Sequence, residues 1–267
     1  MKKLLFGTVL FALLFSVACA NSNNDSFVDV NIASYGDNVH YATYVNSESA
    51  SGSGEDGEIT IYQSNDELIF DSIDEMIDFG SSSGIWRNEI VRAEVLDERV
   101  EMHNTTAVWQ HEDAQYFLGE DPGWDHSDDY IPVTLYRIRV LEVFLGDVQV
   151  GDIIEIRQPG GEVGNVRMVN ESFVPLMLGD DLILFLASII WMPNSPAGLM
   201  SSTQAAYRFP AVSDGARSVS FDEVLEPVHQ FPEDMAEYAL PLTVEDLANF
   251  QIENFGQVSE SFETILR

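Results

Sequence analysis

The sequence predicts a mainly β protein: a small β-barrel with short peripheral helices and an N-terminal flexible tether. Two observations lead to this fold class. Short segments of alternating or continuous apolar residues recur between residues 59 and 215, and glycine or proline residues separate many of them. Helix signals are confined to two short segments, one before the main run of strands and one near the C-terminus.

An export signal occupies residues 1–18. Lys2 and Lys3 form a positively charged start, and an apolar run from Leu4 to Val17 follows. This run is shorter than the ~20 apolar residues that span a bilayer, which favours a cleaved signal over a membrane helix. The sequence therefore predicts a protein that leaves the cytoplasm.

Two cleavage outcomes follow from the residues after the apolar run. Ala18 and Ala20 suit an ordinary signal peptidase, which would release a secreted protein beginning at Asn21. The segment 16–19 instead resembles the lipobox of bacterial lipoproteins, with Ser16 where that motif usually has leucine. Cys19, the only cysteine, stands where the lipobox cysteine is lipidated. We favour lipidation of Cys19, because the lone cysteine stands where a lipobox needs it and a polar Asn/Ser tether follows, as in lipoproteins. Two or more acyl chains would then hold the protein stably at the bacterial cell membrane.

The chain is strongly acidic. It has 45 Asp and Glu against 12 Lys and Arg, a net charge of −33, and removal of the signal with its two lysines leaves −35. Such a surface repels nucleic acid and anionic lipid and excludes nucleic-acid binding. The charge serves either solubility or the binding of Ca²⁺, a cationic ligand or a basic cell-surface protein, and composition alone favours solubility.

The first elements follow from local composition. Residues 19–58 are polar and rich in Asn, Ser, Gly and Asp, which predicts a flexible tether with a short strand at His40–Val45. Residues 59–215 form the predicted barrel domain, beginning with an alternating strand at Glu58–Tyr62. Ser72 and Glu75 form a capping box that predicts a short helix over Ile73–Phe79.

The barrel strands follow from apolar patterns. Alternation in the second strand slips phase at Leu141–Val143, which predicts a β-bulge, and the continuous apolar run Leu182–Leu186 predicts a strand buried on both sides. Residues 216–267 form a C-terminal extension with a short helix that Thr243 caps and that runs through Phe250. In chain order the predicted strands are Ile90–Val100, Val133–Phe144, Ile153–Arg157, Asn165–Val169, Leu182–Leu186 and Ala206–Phe209.

The order of strands and turns carries a resemblance. The pattern runs through Ile90–Val95, Tyr136–Gly146, Val150–Ile154, Gly160–Gly161 and Pro175–Leu186. Over roughly residues 68–210 it resembles uncharacterised bacterial lipoproteins whose core is similar to the barrel of netrin and metalloproteinase-inhibitor modules. The resemblance implies a small OB-like β-barrel. Those inhibitors use several disulfides and a free N-terminal cysteine to chelate zinc; Cys19 would be lipidated or removed, so inhibition is not carried over.

Two glycine-rich segments match the residue pattern of a catalytic or cofactor motif, but the predicted elements around them do not match that motif. Gly52–Gly57 has the spacing of a dinucleotide fingerprint, but a polar linker precedes it and a strand follows it. Gly80–Gly84 matches the nucleophile elbow around Ser82, but that motif needs a strand before the serine and a helix after it. Here the predicted order is reversed, so we interpret both segments as linker or loop.

A long connection between Met102 and Ile131 is the predicted binding region, since loops far longer than ~12–15 residues are often functional. Its aromatic residues offer rigid contact area, and its acids and histidines would attract Ca²⁺ or another cation. An equally weighted alternative is that the aromatic residues pack on the barrel wall. The binding candidates are Trp109, Tyr116, Phe117 and Trp124, and the metal candidates are His111, Asp113, His126 and Asp128.

These features predict a non-enzymatic extracytoplasmic lipoprotein domain, a binding or scaffold module of the cell envelope. No catalytic residue is assigned. The alternative is an extracellular hydrolase, either serine-dependent through Ser82 or metal-dependent through the segment 103–129. A third class is a spacer protein of the cell surface.

Overall fold

The computed structural model describes residues 29–35, 39–45, 59–63, 66–82, 86–104, 130–170, 172–190, 195–210, 219–231 and 233–266. The export signal and all but two strands of the predicted tether lie outside these ranges. So do the predicted lipidation site and every candidate of the long connection: Cys19, Trp109, His111, Asp113, Tyr116, Phe117, Trp124, His126 and Asp128. Those predictions therefore remain predictions.

The described ranges contain thirteen strands, three α-helices and one 3-10 helix. The strands are β1 (Asp29–Tyr35), β2 (Val39–Val45), β3 (Ile59–Gln63), β4 (Asp66–Phe70), β5 (Trp86–Asn104), β6 (Tyr130–Leu145), β7 (Ile153–Pro159), β8 (Gly161–Val163), β9 (Val166–Asn170), β10 (Asp181–Ile189), β11 (Ala197–Leu199), β12 (Ala206–Arg208) and β13 (Glu226–Pro227). The helices are α1 (Ile73–Ser82), α2 (Val244–Phe255), α3 (Glu260–Leu266) and the 3-10 helix Glu233–Tyr238.

Five strands close into a barrel. β5, β6 and β7 form an antiparallel meander, and β10 pairs with the free side of β5. The three-residue strand β11 closes the ring, because it pairs antiparallel with β10 and parallel with β7. The order β5-β6-β7-β11-β10 gives a small OB-like barrel, so the predicted fold class is confirmed. β1-β2-β4 and β3-β9-β8 form two further small sheets.

The predicted bulge in β6 is confirmed. Arg92 of β5 pairs with Glu142 and Ala93 pairs with Val140, so Leu141 has no partner of its own in the ladder. An extra residue in one strand turns the following side chains to the opposite face. Val140 points into the barrel, whereas Glu142 and Phe144 of the same strand are buried on its outer side.

Two apolar cores share the strand β10. Leu182, Leu184 and Leu186 are buried inside the barrel, whereas Ile183 and Phe185 are buried in a second core outside it. β10 is therefore buried on both sides, as predicted from its continuous apolar run. The C-terminal segment supplies much of the outer core through Val219, Leu225, Leu240, Leu242, Val244, Leu247, Ala248 and Phe262.

Glu142 holds the C-terminal helices against the barrel. Its carboxylate accepts hydrogen bonds from the Gln251 side-chain amide (2.8 Å) and from the Ser259 and Ser261 hydroxyls (2.6 Å each). Phe144 of the same strand meets Phe262 of α3 edge to face, with 5.1 Å between ring centroids. Three donors supply hydrogen bonds to the oxygens of this buried carboxylate, and these bonds join β6 to α2 and to the start of α3.

Two buried glutamines hydrogen-bond through their side-chain amides to backbone groups, in the way that a neighbouring strand would. The Gln158 side chain both donates to and accepts from the backbone of Val174, at 2.8 and 3.1 Å. The Gln204 side chain does the same with the backbone of Phe70, at 3.0 and 2.8 Å, and also donates to the Tyr238 carbonyl at 2.7 Å. A side-chain amide can satisfy a backbone N–H and C=O together, so the backbone groups of Val174 and of Phe70, at the end of β4, keep hydrogen-bond partners although they are buried.

Ser82 is the last residue of the helix α1, which precedes the strand β5. α1 begins at Ile73, as predicted, but it continues to Ser82 instead of ending at Phe79. The prediction ended the helix at Gly80, yet the backbone stays helical through that residue; the glycine is tolerated there at a cost of about 1 kcal/mol relative to alanine. Helix precedes strand here, the reverse of a nucleophile elbow.

Candidate binding cleft

An open cleft of about 340 Å³ lies between the start of α1 and one face of α2. One wall is the chain entering α1. The other wall is formed by α2, from its first turn at Asp246 to its third turn at Glu253, and by Pro241, three residues before the helix. The residues that line it are Asp71, Ser72, Ile73, Asp74, Pro241, Asp246, Asn249, Phe250 and Glu253.

Hydrogen bonds of the capping type fix both walls. At α1 the Ser72 hydroxyl accepts from the backbone N–H of Glu75 (3.2 Å), and the Glu75 carboxylate accepts from the N–H of Asp71 (3.0 Å). At α2 the Thr243 hydroxyl accepts from the N–H of Asp246 (3.2 Å), and the Asp246 carboxylate accepts from the N–H of Thr243 (2.8 Å). Thr243 therefore caps α2 as predicted, and α2 continues past Phe250 to Phe255. Ser72 caps α1, but the arrangement differs from the predicted capping box, because the Glu75 carboxylate accepts from the N–H of Asp71 instead of the N–H of Ser72.

The lining combines carboxylates with apolar surface. Asp71, Asp74, Asp246 and Glu253 supply four acidic side chains, and none of the described residues that line the cleft is a lysine or an arginine. Ile73, Pro241 and Phe250 supply apolar wall. Asp71 and Asp74 lie at the start of α1 and Asp246 in the first turn of α2, where the helix dipole favours negative charge, whereas Glu253 lies near the end of α2. The cleft suits a cation that has an apolar body.

Arginine pairs neutralise a different surface, the outward face of β5, β6 and β7. Arg99 bonds to Glu155 at 2.6 Å and to Glu101 at 2.7 Å, and Arg139 lies 3.2 Å from Glu94. The hydrogen bond from Arg99 is the main cause that lowers the pKa of Glu101. Positive charge is thus placed on this sheet face, away from the cleft.

Family models, curated proteins and solved structures give no match to this chain. Within the described ranges, no group of three or more His, Cys, Asp or Glu side chains is arranged to hold a metal ion. Likewise, no helix in those ranges is long and apolar enough to cross a membrane.

Three buried titratable groups lie elsewhere. Burial raises the pKa of Glu89 in β5, whose carboxylate lies 3.1 Å from Arg87. Burial also raises the pKa of Tyr136 to about 12 and lowers the pKa of His229, which packs edge to face on Phe231. None of these three groups lines the cleft.

Sequence reasoning missed the cleft although it found both of its caps. The segment around Ser72 and the segment around Thr243 were each recognised as a helix start. They are about 170 residues apart, and nothing in the local pattern of either one indicates that the two starts face each other. Their acidic residues gave no signal, because 45 acids are spread along the whole chain.

Proposed function

We propose that this protein is a non-enzymatic extracytoplasmic lipoprotein whose barrel domain binds a cationic ligand in the cleft between α1 and α2. The observation that carries the proposal is a concave space of about 340 Å³ lined by four carboxylates and three apolar side chains. Its volume lies within the ~300–1,000 Å³ range of small-molecule sites, which combine apolar walls with a few polar groups.

The charge of the chain supports a cation as the ligand. A surface of about −35 after signal removal attracts cations over distances comparable to the ~10 Å Debye length at 0.1 M salt. On the sheet face of β5–β7 the carboxylates are paired with arginines, whereas no basic side chain is among the described residues of the cleft. The cleft is therefore a concave surface whose described lining carries four acidic side chains and no basic one.

The geometry favours an extended organic cation over Ca²⁺. Calcium needs six to eight oxygen ligands converging within about 2.6 Å of one point. Among the residues that the structure describes, the carboxylates of the cleft belong to no group of three that could hold a metal ion. They share the cavity with Phe250, Ile73 and Pro241. A polyamine, or an arginine or lysine side chain of a basic cell-surface protein, has both the charge and the methylene surface that this lining fits.

The double variant Asp74→Asn, Glu253→Gln is expected to bind spermidine about 10-fold more weakly than the wild type. A carboxylate ~4 Å from a cation contributes roughly 1 kcal/mol in water, so losing two removes up to about 2 kcal/mol, and a 10-fold change corresponds to about 1.4 kcal/mol. Isothermal titration calorimetry at low salt measures the change, and raising the salt should weaken wild-type binding.

The matched control for the cleft is Glu162→Gln, since Glu162 is an exposed acid of β8 outside the cleft. Equal weakening by Glu162→Gln and by the cleft variant would show that spermidine binds the acidic surface in general. That result would contradict a site between α1 and α2.

Lipidation of Cys19 supplies the anchor in this proposal. The support is the position of the only cysteine directly after the apolar run and Ala18. The sequence also makes the anchor easy to test, because lysine occurs only at positions 2 and 3. After the signal is removed, the α-amino group is the only primary amine left.

Metabolic labelling with a palmitate analogue is expected to tag the wild-type protein, and Cys19→Ala should lose the label. A triacylated Cys19 leaves the mature chain without any primary amine, so an amine-reactive dye should not label it. A mature chain that begins at Asn21, takes one dye and carries no acyl mass would overturn the anchor and identify a secreted protein.

A further inference from the structure

The turn between β9 and β10 presents two large apolar side chains to solvent. Met177 is 60% exposed and Leu178 is 76% exposed, the highest value among the exposed large hydrophobic residues of the described chain. They are adjacent at the tip of the turn, whereas their neighbour Leu176 is buried in the barrel core. Two adjacent exposed apolar side chains on one turn offer a small apolar contact surface.

Hydrogen bonds within the turn hold this tip in one shape. The Asp180 carboxylate accepts from the N–H of Met177 (2.9 Å), and the N–H of Asp180 donates to the Met177 carbonyl (2.9 Å). The N–H of Gly179 donates to the Val95 carbonyl of β5 (2.8 Å), with Gly179 in the left-handed region at φ 83°. Three backbone N–H groups of the turn, at 177, 179 and 180, are thus already satisfied by the protein.

The acids next to the tip are neutralised. Asp180 lies 3.2 Å from the Arg208 guanidinium. Asp181 forms two hydrogen bonds with Arg92, at 2.8 and 2.6 Å, and the Arg92 guanidinium also lies over the Phe209 ring at 4.1 Å. On a chain with ten basic residues after the signal, two of them are used directly behind this turn. Local charge is therefore close to zero where the apolar tip projects.

We propose that the Met177–Leu178 tip inserts into the lipid bilayer that carries the anchor and so docks the barrel on the membrane surface. This inference rests on the lipid anchor of the proposed function. A chain fixed to the bilayer keeps the tip at a high effective concentration near lipid, so two side chains suffice for a contact that would be weak in free solution.

A bilayer fits the tip better than a pocket in another protein does. Entry into hydrocarbon is costly for unsatisfied backbone groups and for charged side chains. In this turn most backbone N–H groups already have hydrogen-bond partners, and the adjacent carboxylates are paired with arginines. A protein pocket would instead be expected to bond to free backbone groups at the tip. The rest of the protein surface is acidic and is repelled by anionic lipid headgroups, so we expect the tip to insert into zwitterionic lipid.

The test uses the lipidated protein reconstituted in phosphatidylcholine vesicles. In that protein the sulfur of Cys19 is already in a thioether, so Leu178→Cys introduces the single free thiol, which takes an environment-sensitive fluorophore. The control is Val150→Cys, because Val150 is 61% exposed on the separate turn between β6 and β7. Circular dichroism checks that both labelled proteins are folded.

The probe at position 178 is expected to shift to the blue and to be quenched several-fold more by spin-labelled lipid than the probe at position 150. Equal quenching at the two positions in a lipidated protein would overturn docking while leaving the anchor intact. If Cys19 proves not to be lipidated, the anchor fails, and vesicles added to the secreted protein decide the insertion: quenching at 178 alone supports it, and no quenching overturns it.

Discussion

Phe185→Ala is expected to lower the free energy of unfolding by about 3–5 kcal/mol, a large fraction of the ~5–15 kcal/mol that stabilises a typical domain. Phe185 is fully buried at the centre of β10 and packs edge to face with Tyr207, with 6.0 Å between ring centroids. Its side chain belongs to the outer core that joins the barrel to the C-terminal helices. Truncation therefore leaves a cavity lined by two parts of the fold.

Urea denaturation followed by circular dichroism measures the loss for Phe185→Ala. The matched control is Phe221→Ala, since Phe221 is half exposed, and this change should shift the free energy of unfolding by less than about 1 kcal/mol. An unchanged midpoint for Phe185→Ala, or a mainly helical spectrum of the wild type, would contradict the barrel.

The second large effect is expected for Glu142→Ala, which should cost about 3 kcal/mol. Removal of the carboxylate takes its acceptor oxygens from the Gln251 amide and from the Ser259 and Ser261 hydroxyls at a partly buried site. The Gln251 amide keeps its bond to the Val143 carbonyl (2.9 Å), and a hydrogen bond to a carboxylate contributes about 1.5–3 kcal/mol. Because these donors lie on the C-terminal helices, the loss should appear first as detachment of those helices. Limited proteolysis should then cut after residue 243 in the variant before it cuts the wild type.

Two controls separate this role from a general effect of charge. Glu142→Gln keeps an acceptor oxygen and should lose clearly less stability than Glu142→Ala. Glu94→Ala removes an exposed acid paired with Arg139, which is expected to change stability by about 1 kcal/mol or less. If Glu142→Ala and Glu94→Ala lose equal amounts, Glu142 does not hold the helices.

Most strands of the barrel could be predicted because their buried apolar residues recur at regular positions along the sequence. The second strand alternates at Tyr136, Ile138 and Val140, and all three side chains are buried in the barrel. The run Leu182–Leu186 is apolar without interruption, because each face of β10 meets its own core. Where a strand has one or two buried faces along several residues, the pattern is long enough to detect.

The strand that closes the barrel could not be predicted. β11 has only three residues, Ala197–Leu199, and such a length contains no period. Its position is decided by neighbours that are distant in the sequence, since Leu199 pairs with Leu186 and Ala197 pairs with Ile156. The extent of the C-terminal segment was also decided in this way: its residues complete the outer core instead of forming a separate appendage.

The sequence by itself determined the acidic character, the export signal pattern, the strands with repeated burial, the bulge at Leu141 and the two helix caps, because each depends on residues close together in the chain. Only the tertiary structure decided that the caps at Ser72 and Thr243 face one cleft, that Glu142 joins three donors, and that Met177 and Leu178 project from a rigid turn. These features depend on contacts between residues far apart in the chain. Such contacts depend on how the cores pack, and they cannot be predicted from a local sequence pattern.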